Sequence, residues 1–318
     1  MTVNQYRKVL IIDEVHPLIP EELTAHGFFC EYFPEYKRAD FLRIIGEYEG
    51  VIVRSKIRLD REFLSRATKL RFIGRVGSGL ENIDVAYAEE RGIRCLNSPE
   101  GNRDAVAEHA LGMLLALRNH LCRADRQVRS GRWLREENRG EEIKGKTVGI
   151  IGYGNTGSAF ARRLKGFEAN VISYDKYKSG YADGNTREVT LEEIMDRADI
   201  LSLHVPLTEE TTFMVNASFI GKFRKPFQLI NTSRGKVVNT ADLVVALKSG
   251  KVTGAALDVL EYEDNSFEKL SHTLPEDFRY LMEAENVILT PHIAGWTKES
   301  NVRLAKVLVE KIIMGDRR

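Results

Sequence analysis

The chain has 318 residues, of which 43% are hydrophobic and 29% charged; at about 100–200 residues per domain this suggests two domains, and it excludes wholesale disorder. Lys and Arg number 47 against 46 Asp and Glu, a formal charge of +1 that lacks the cation excess needed for non-specific nucleic-acid binding. Three cysteines (Cys30, Cys95, Cys122) without a Cys-x-x-Cys pair argue against a zinc site or disulfide framework, and no apolar run approaches the ~18 residues of a membrane span, so a soluble, cytoplasmic protein without metal is expected.

In chain order, Val9–Ile12 reads as a short strand closed by Asp13. Asp40 is placed to cap a helix over Phe41–Tyr48, whose Phe41, Ile44, Ile45 and Tyr48 share one face. Val51–Val53 and Phe72-Ile73 are further strands, separated by a helix over Arg61–Ala67 that Asp60 would cap. This alternation predicts a parallel sheet with helices on its faces. Asp104–Asn119 is apolar nearly all round and reads as a buried helix, with His109 as a structural, hydrogen-bonded histidine. Cys122–Gly145 reads as an exposed helix end and loop. A second alternating series then begins with a strand over Lys146–Ile151, a helix over Asn155–Phe167 and a strand over Val171–Tyr174. Thr190 caps Leu191–Arg197, with Glu193 three residues on as in a capping box. Strands follow at Ile200–His204, Phe227–Asn231, Ala255–Val259 and Val287–Thr290, then a helix over Asn301–Met314.

The sharpest motif is Gly152-Tyr153-Gly154-Asn155-Thr156-Gly157, which directly follows one strand and opens a helix. Gly152 suits the tight turn, Gly154 the approach of a pyrophosphate, and Gly157 close helix–strand packing. Asp175 ends the next strand, near the spacing of about 20 residues expected for a ribose-binding carboxylate. An acid there favours NAD over NADP, although Lys176 and Lys178 are cations that could tolerate a phosphate. His204 is expected to line the cofactor site at a strand end.

Three more segments stand at strand ends, where open α/β sheets bind ligands: Asn231-Thr232-Ser233-Arg234-Gly235; Asp258 with Glu261 and Glu263 beyond it; and Thr290-Pro291-His292-Ile293-Ala294-Gly295. Arginine, glutamate and histidine together suit proton transfer and anion anchoring.

Taken in this order, these segments resemble the D-isomer-specific 2-hydroxyacid dehydrogenase family over essentially the whole chain. The resemblance implies an α/β fold of two doubly wound parallel-sheet domains. These are a flavodoxin-like substrate domain of residues 1–101 plus 294–318 and a Rossmann NAD-binding domain of residues 102–293. It implies a homodimer formed through the cofactor domains, with Arg135 placed where a neighbouring subunit could supply a cation. The family's catalytic arginine falls on Arg234 and its histidine on His292. Its glutamate falls best on Glu263, with Glu261 the other candidate. Gly152, Gly154, Asn155, Thr156, Gly157, Asp175, His204, Thr232 and Asp258 would serve the cofactor.

Within the family, the N-terminal half is most similar to the branch that oxidises 3-phosphoglycerate, through Val53-Arg54-Ser55, Gly74–Gly79, Asn82-Ile83-Asp84 and Asn97–Asn102. Arg54 and Arg75 would then hold the substrate phosphate, a dianion that wants charge-assisted donors. The amides of Gly77, Ser78 and Gly79 would bind its carboxylate, and Asn102 would orient it. The resemblance thus implies NAD-dependent conversion of 3-phosphoglycerate to 3-phosphohydroxypyruvate, the entry to serine synthesis. The alternatives are a glyoxylate, hydroxypyruvate or other 2-oxoacid reductase and, from another class, an NAD-sensing corepressor-like binding protein. The chain departs from the family where Asp264 follows Glu263 in place of proline. It also departs in a long stretch over 264–285, whose Phe267, Leu270, Phe278, Tyr280 and Leu281 suggest an extra packed segment. It ends at Arg318, so a C-terminal regulatory domain, and feedback through it, are not expected.

Overall fold

The computed structural model describes residues 7–263 and 275–316. The described residues of 1–102 and 296–318 form one compact unit, and those of 103–264 and 268–295 another.

The first unit is built on five parallel strands: β1 (Arg7–Ile11), β2 (Phe28–Tyr32), β3 (Gly50–Val53), β4 (Phe72–Arg75) and β5 (Arg94–Asn97), in the order β2-β1-β3-β4-β5. That is the flavodoxin-like doubly wound order. The apolar runs of β1 and β3 are continuous because both faces of the sheet are covered. Leu10, Val51 and Val53 pack with Phe41, Ile45 and Phe63, whereas Val9, Ile11 and Ile52 pack with Leu304, Leu308 and Ile312 of the C-terminal helix Lys298–Asp316.

The second unit holds seven parallel strands: β6 (Thr147–Ile151), β7 (Asn170–Tyr174), β8 (Arg187–Glu188), β9 (Ile200–Leu203), β10 (Phe227–Asn231), β11 (Val252–Leu257) and β12 (Val287–Leu289). Their order, β12-β11-β10-β9-β6-β7-β8, is the Rossmann order extended by one strand. Neighbouring residues again enter opposite layers. Leu229 and Ala255 face a core with Ile194, Leu243 and Phe278, while Ile230 and Ala256 face Met113, Leu114 and Phe160.

Several boundaries differ from the sequence reading. The helix assigned to Phe41–Tyr48 runs instead over Arg38–Ile44, followed by a 3₁₀ turn at Ile45–Glu47. Asp40 is therefore not its cap; it sits inside the first turn, and its carboxylate accepts from the Lys37 amide at 3.1 Å. The buried helix begins at Pro99, not Asp104, and reaches Arg118. Proline suits this first turn, where a missing N–H costs no helical hydrogen bond. Asp60 and Thr190 cap as expected, accepting from the amides of Phe63 at 3.0 Å and Glu193 at 3.2 Å. The Glu193 carboxylate, however, is drawn to Arg187 and Arg197 rather than back to the cap. Of the long 264–285 stretch, Asp264, Phe267 and Leu270 lie outside the described residues. Phe278 and Leu281 are buried on the helix Glu276–Glu283.

Candidate active site

In the second unit the glycine turn links β6 to the helix Asn155–Leu164. Gly152 has φ of +91°, and a Cβ on it would lie 2.4 Å from the His204 carbonyl oxygen. A Cβ on Gly157 would lie 2.1 Å from the Gly152 carbonyl oxygen, so the turn closes only with glycine at both positions. Gly154 faces open space, and as the N-cap residue it leaves the helix start without a side-chain cap. A helix end of this kind offers amides and partial positive charge to an anion. Asp175, just past β7, accepts from the Tyr153 amide at 2.8 Å and the Tyr177 amide at 3.0 Å, which fixes the carboxylate beside the turn. Thr232 follows β10 with a buried hydroxyl that lacks a hydrogen-bond partner. A buried unsatisfied hydroxyl is costly unless a ligand completes it. Glycine turn, helix start, acid and orphaned hydroxyl together fit a dinucleotide.

His204 is buried below this turn. Its ring lies between Ser202 Oγ at 2.8 Å and Thr156 Oγ1 at 3.2 Å, with Phe160 against it at 5.5 Å between centroids. Burial pushes its pKa from 6.5 down to about 3, so the ring is neutral at physiological pH. It braces the start of the cofactor helix through Thr156. Because the unfolded chain takes up the proton near pH 6.5 and the folded chain does not, stability is full above that pH and falls as pH drops toward 3. Between pH 6.5 and 5 this loss comes to about 2 kcal/mol. His204→Gln is expected to flatten that part of the curve of thermal midpoint against pH. An unchanged slope would show that another group controls acid stability.

The chemically distinctive residues gather at the ends of β10, β11 and β12. His292 Nδ1 lies 2.6 Å from Glu263 Oε2, with both side chains largely shielded from solvent. The other Glu263 oxygen accepts from the Leu260 amide. Glu261, the other candidate, is engaged elsewhere: its carboxylate accepts from the Thr240 amide at 2.9 Å, at the start of the helix Thr240–Lys248. His292 has φ of +56°, a left-handed conformation uncommon for a residue with a side chain. Asp258 imposes it. Its 1%-exposed carboxylate accepts from Thr290 Oγ1 at 2.6 Å and from the amides of Ile293 at 2.9 Å and Ala294 at 2.8 Å, while its carbonyl accepts from the His292 amide at 2.7 Å. His109 joins the same cluster, 3.0 Å from Thr290 Oγ1. Asp258, grouped with the cofactor residues from the sequence, thus turns its carboxylate into the His292 turn. Arg234 follows β10. Its carbonyl accepts from Asn231 Nδ2 at 2.9 Å, and its Nη1 donates to the Ser233 carbonyl at 2.7 Å.

In the first unit, Arg54 and Arg75 stand at the carboxyl edge of adjacent strands, where Val53 of β3 pairs with Arg75 of β4. The Arg54 loop is held by Asp13, whose carboxylate accepts from the amides of Arg54 (2.6 Å), Ser55 (3.2 Å) and Lys56 (2.9 Å). The Arg54 guanidinium lies 4.3 Å over the exposed Trp296 ring. Arg75 crosses Gly77, where a Cβ would fall 1.6 Å from Nη1. Of the three amides expected to bind a carboxylate, that of Gly77 donates to Ser98 Oγ at 3.3 Å and is buried. The Ser78 hydroxyl donates to Asn102 Oδ1 at 2.6 Å, and Asn97 Nδ2 donates to the Ser78 carbonyl at 2.5 Å, so this turn is braced from within. Gly79, the next residue of this turn, is partly exposed. The sequence alone places Asp13 only as the close of the first strand and gives Trp296 no role. The signal for Asp13 was its place directly after an apolar strand.

The family model for the NAD-binding domain of D-isomer specific 2-hydroxyacid dehydrogenases matches residues 111–294, more than half the chain. The chain belongs to this family. A D-3-phosphoglycerate dehydrogenase of Archaeoglobus fulgidus is 34% identical over 308 residues, which are 96% of this chain but 56% of that protein. The chain therefore spans little more than half the length of that relative. A hydroxypyruvate reductase of Thermotoga maritima is 37% identical over 276 residues, 87% of each chain. Among solved structures, a D-lactate dehydrogenase from Aquifex aeolicus, complexed with NAD and lactic acid, superposes with a TM-score of 0.83 at 28% identity, covering 97% of this chain and 95% of that one. NAD is the cofactor that the family's domain binds, in accord with the fit of the glycine turn, Asp175 and Thr232.

Proposed function

We propose that this chain is an NAD-dependent oxidoreductase of D-2-hydroxyacids, with 3-phosphoglycerate as substrate and 3-phosphohydroxypyruvate as product, the entry to serine synthesis. The observation that carries the reaction class is the 2.6 Å contact between His292 Nδ1 and Glu263, which leaves Nε2 as the ring's proton-transfer atom. His292 Nε2 takes the proton of the C2 hydroxyl, and returns it in the reductive direction. Glu263 accepts from Nδ1 and holds the tautomer. Asp258 is a positioning residue that fixes the turn on which His292 stands. Arg234 anchors the substrate carboxylate and stabilises charge growing on the C2 oxygen. The hydride leaving C2 would be taken up by the nicotinamide that bound NAD supplies.

Phosphate recognition is assigned to Arg54 and Arg75. The indole of Trp296 covers one face of the Arg54 guanidinium, which fixes the plane in which its N–H groups would meet an anion. A homodimer is part of this reading. Exposed Leu121, Val128 and Trp133 on the helix Leu121–Arg129 and the loop after it supply apolar surface for a second copy.

A second reading, reduction of hydroxypyruvate or glyoxylate, is favoured by the Thermotoga relative, which matches at 87% of both lengths. The test follows reduced-nicotinamide absorbance with 3-phosphoglycerate, glycerate and D-lactate, and with the corresponding oxoacids in reverse. Selective turnover of the phosphorylated acid supports the first reading, and activity restricted to unphosphorylated acids supports the second. Arg54→Ala is expected to raise KM for 3-phosphoglycerate by about tenfold or more, the weight of a charge-assisted contact, and to leave that for glycerate little altered. Equal losses on both substrates would refute the phosphate assignment.

A further inference from the structure

NAD and NADP differ only by a phosphate on the adenosine ribose, and the acid closing the second strand of a Rossmann unit stands at that ribose. Here that acid is Asp175, and the cations a 2′-phosphate could recruit are its neighbours Lys176 and Lys178. Both are engaged. Lys178 Nζ donates to the Tyr153 carbonyl at 2.9 Å, and Lys176 is ion-paired with Glu210. Glu210 arrives from the loop after β9, where Thr208, Glu209 and Glu210 line a cavity together with Tyr177. Its second carboxylate oxygen accepts from the Tyr177 hydroxyl at 2.5 Å. One carboxylate thus holds both residues that follow Asp175.

We propose that Glu210 is a specificity-determining residue for the cofactor, acting by holding Lys176 away from the 2′-position. The ion pair is solvent-exposed, and such pairs add little to stability. Its consequence lies in the choice of partner: a 2′-phosphate must compete with Glu210 for Lys176 while approaching the carboxylates of Asp175, Glu209 and Glu210. Lys176 therefore does not confer the phosphate tolerance that its position beside Asp175 suggests. The inference rests on the family's cofactor and is independent of which hydroxyacid is oxidised.

The test uses adenosine 2′,5′-bisphosphate and 5′-AMP, which differ by the 2′-phosphate alone, in calorimetric titrations of the intact protein. Glu210→Gln keeps an acceptor for Tyr177 and removes the charge. It is expected to raise the affinity ratio of the bisphosphate to AMP by about three- to tenfold, the range for releasing one partly screened cation. The NADPH-to-NADH ratio of kcat/KM should rise alongside, and the gain should vanish in the double variant Glu210→Gln/Lys176→Met. An unchanged ratio in the single variant would overturn the proposal, as would a parallel loss of both ligands, the mark of a merely structural loop contact. A gain that survives in the double variant would overturn it too, because Lys176 would then not be the group released.

Discussion

Replacing His292 by Asn is expected to lower turnover by about 10²–10⁴-fold, the span of general acid–base catalysis, while NAD binding persists and the thermal midpoint moves by no more than a few degrees. Asn is the informative substitution because of the backbone. At φ of +56°, Ala would add left-handed strain of roughly 1–2 kcal/mol, whereas Asn is among the residues that visit this region readily. The turn itself is held by Asp258 through Thr290, Ile293 and Ala294, none of which the substitution touches. The variant therefore removes the imidazole and little else. The measurement pairs steady-state reduced-nicotinamide absorbance with a fluorescence titration of NAD. Near-parental turnover would take His292 out of proton transfer, and lost NAD binding would show that the turn had collapsed.

The parts of this fold that could be read from the sequence are those whose local chemistry and tertiary role coincide. β10, Phe227–Asn231, is apolar because both its faces are buried, and its bounds are those expected. The helix Leu191–Arg197 is marked by the Thr190 hydroxyl that caps it. Edge strands are another matter. β2, with the sequence Phe-Phe-Cys-Glu-Tyr, is covered by a neighbouring strand on one side only, so it mixes exposed and buried residues and does not read as an apolar run. β8 is two residues long and carries no pattern at all.

The candidate site divides the same way. The glycine turn, Arg234 and His292 announce themselves because their neighbours form a fixed local context. The choice between Glu261 and Glu263 does not. The two acids are two residues apart on one turn, and only the packed chain shows that the Thr240 amide takes the first and His292 the second. Asp13 and Glu210 act on residues 41 and 34 positions away; the place of Asp13 after an apolar strand marks a strand end but not what it holds, and the segment around Glu210 carries no mark at all.

Gly235→Ala is expected to reduce kcat/KM by about 100-fold or more, because displacements near 1 Å in a catalytic constellation have consequences of that size. A Cβ at this position would lie 1.9 Å from the Leu260 carbonyl oxygen, 2.0 Å from its carbon and 2.7 Å from the Glu261 nitrogen. All three are backbone atoms and cannot swing aside, so the Leu260–Glu261 segment has to move. That segment donates the Leu260 amide to Glu263 and carries the Glu261 carboxylate that meets the Thr240 amide. The residue preceding Gly235 is Arg234. The contact thus sets the arginine's loop against the loop that carries Glu263, the partner of His292. Strain of this kind typically amounts to 1–3 kcal/mol, so the thermal midpoint should fall by roughly 2–12 °C. NAD affinity should be largely kept, since the glycine turn and Asp175 stand at β6 and β7 and only Thr232 of the cofactor residues shares the loop that carries Gly235. Loss of NAD binding together with activity would indicate general unfolding instead. A fully active variant with an unchanged midpoint would show that Arg234 and Glu263 are aligned by something other than the close approach that glycine permits at 235.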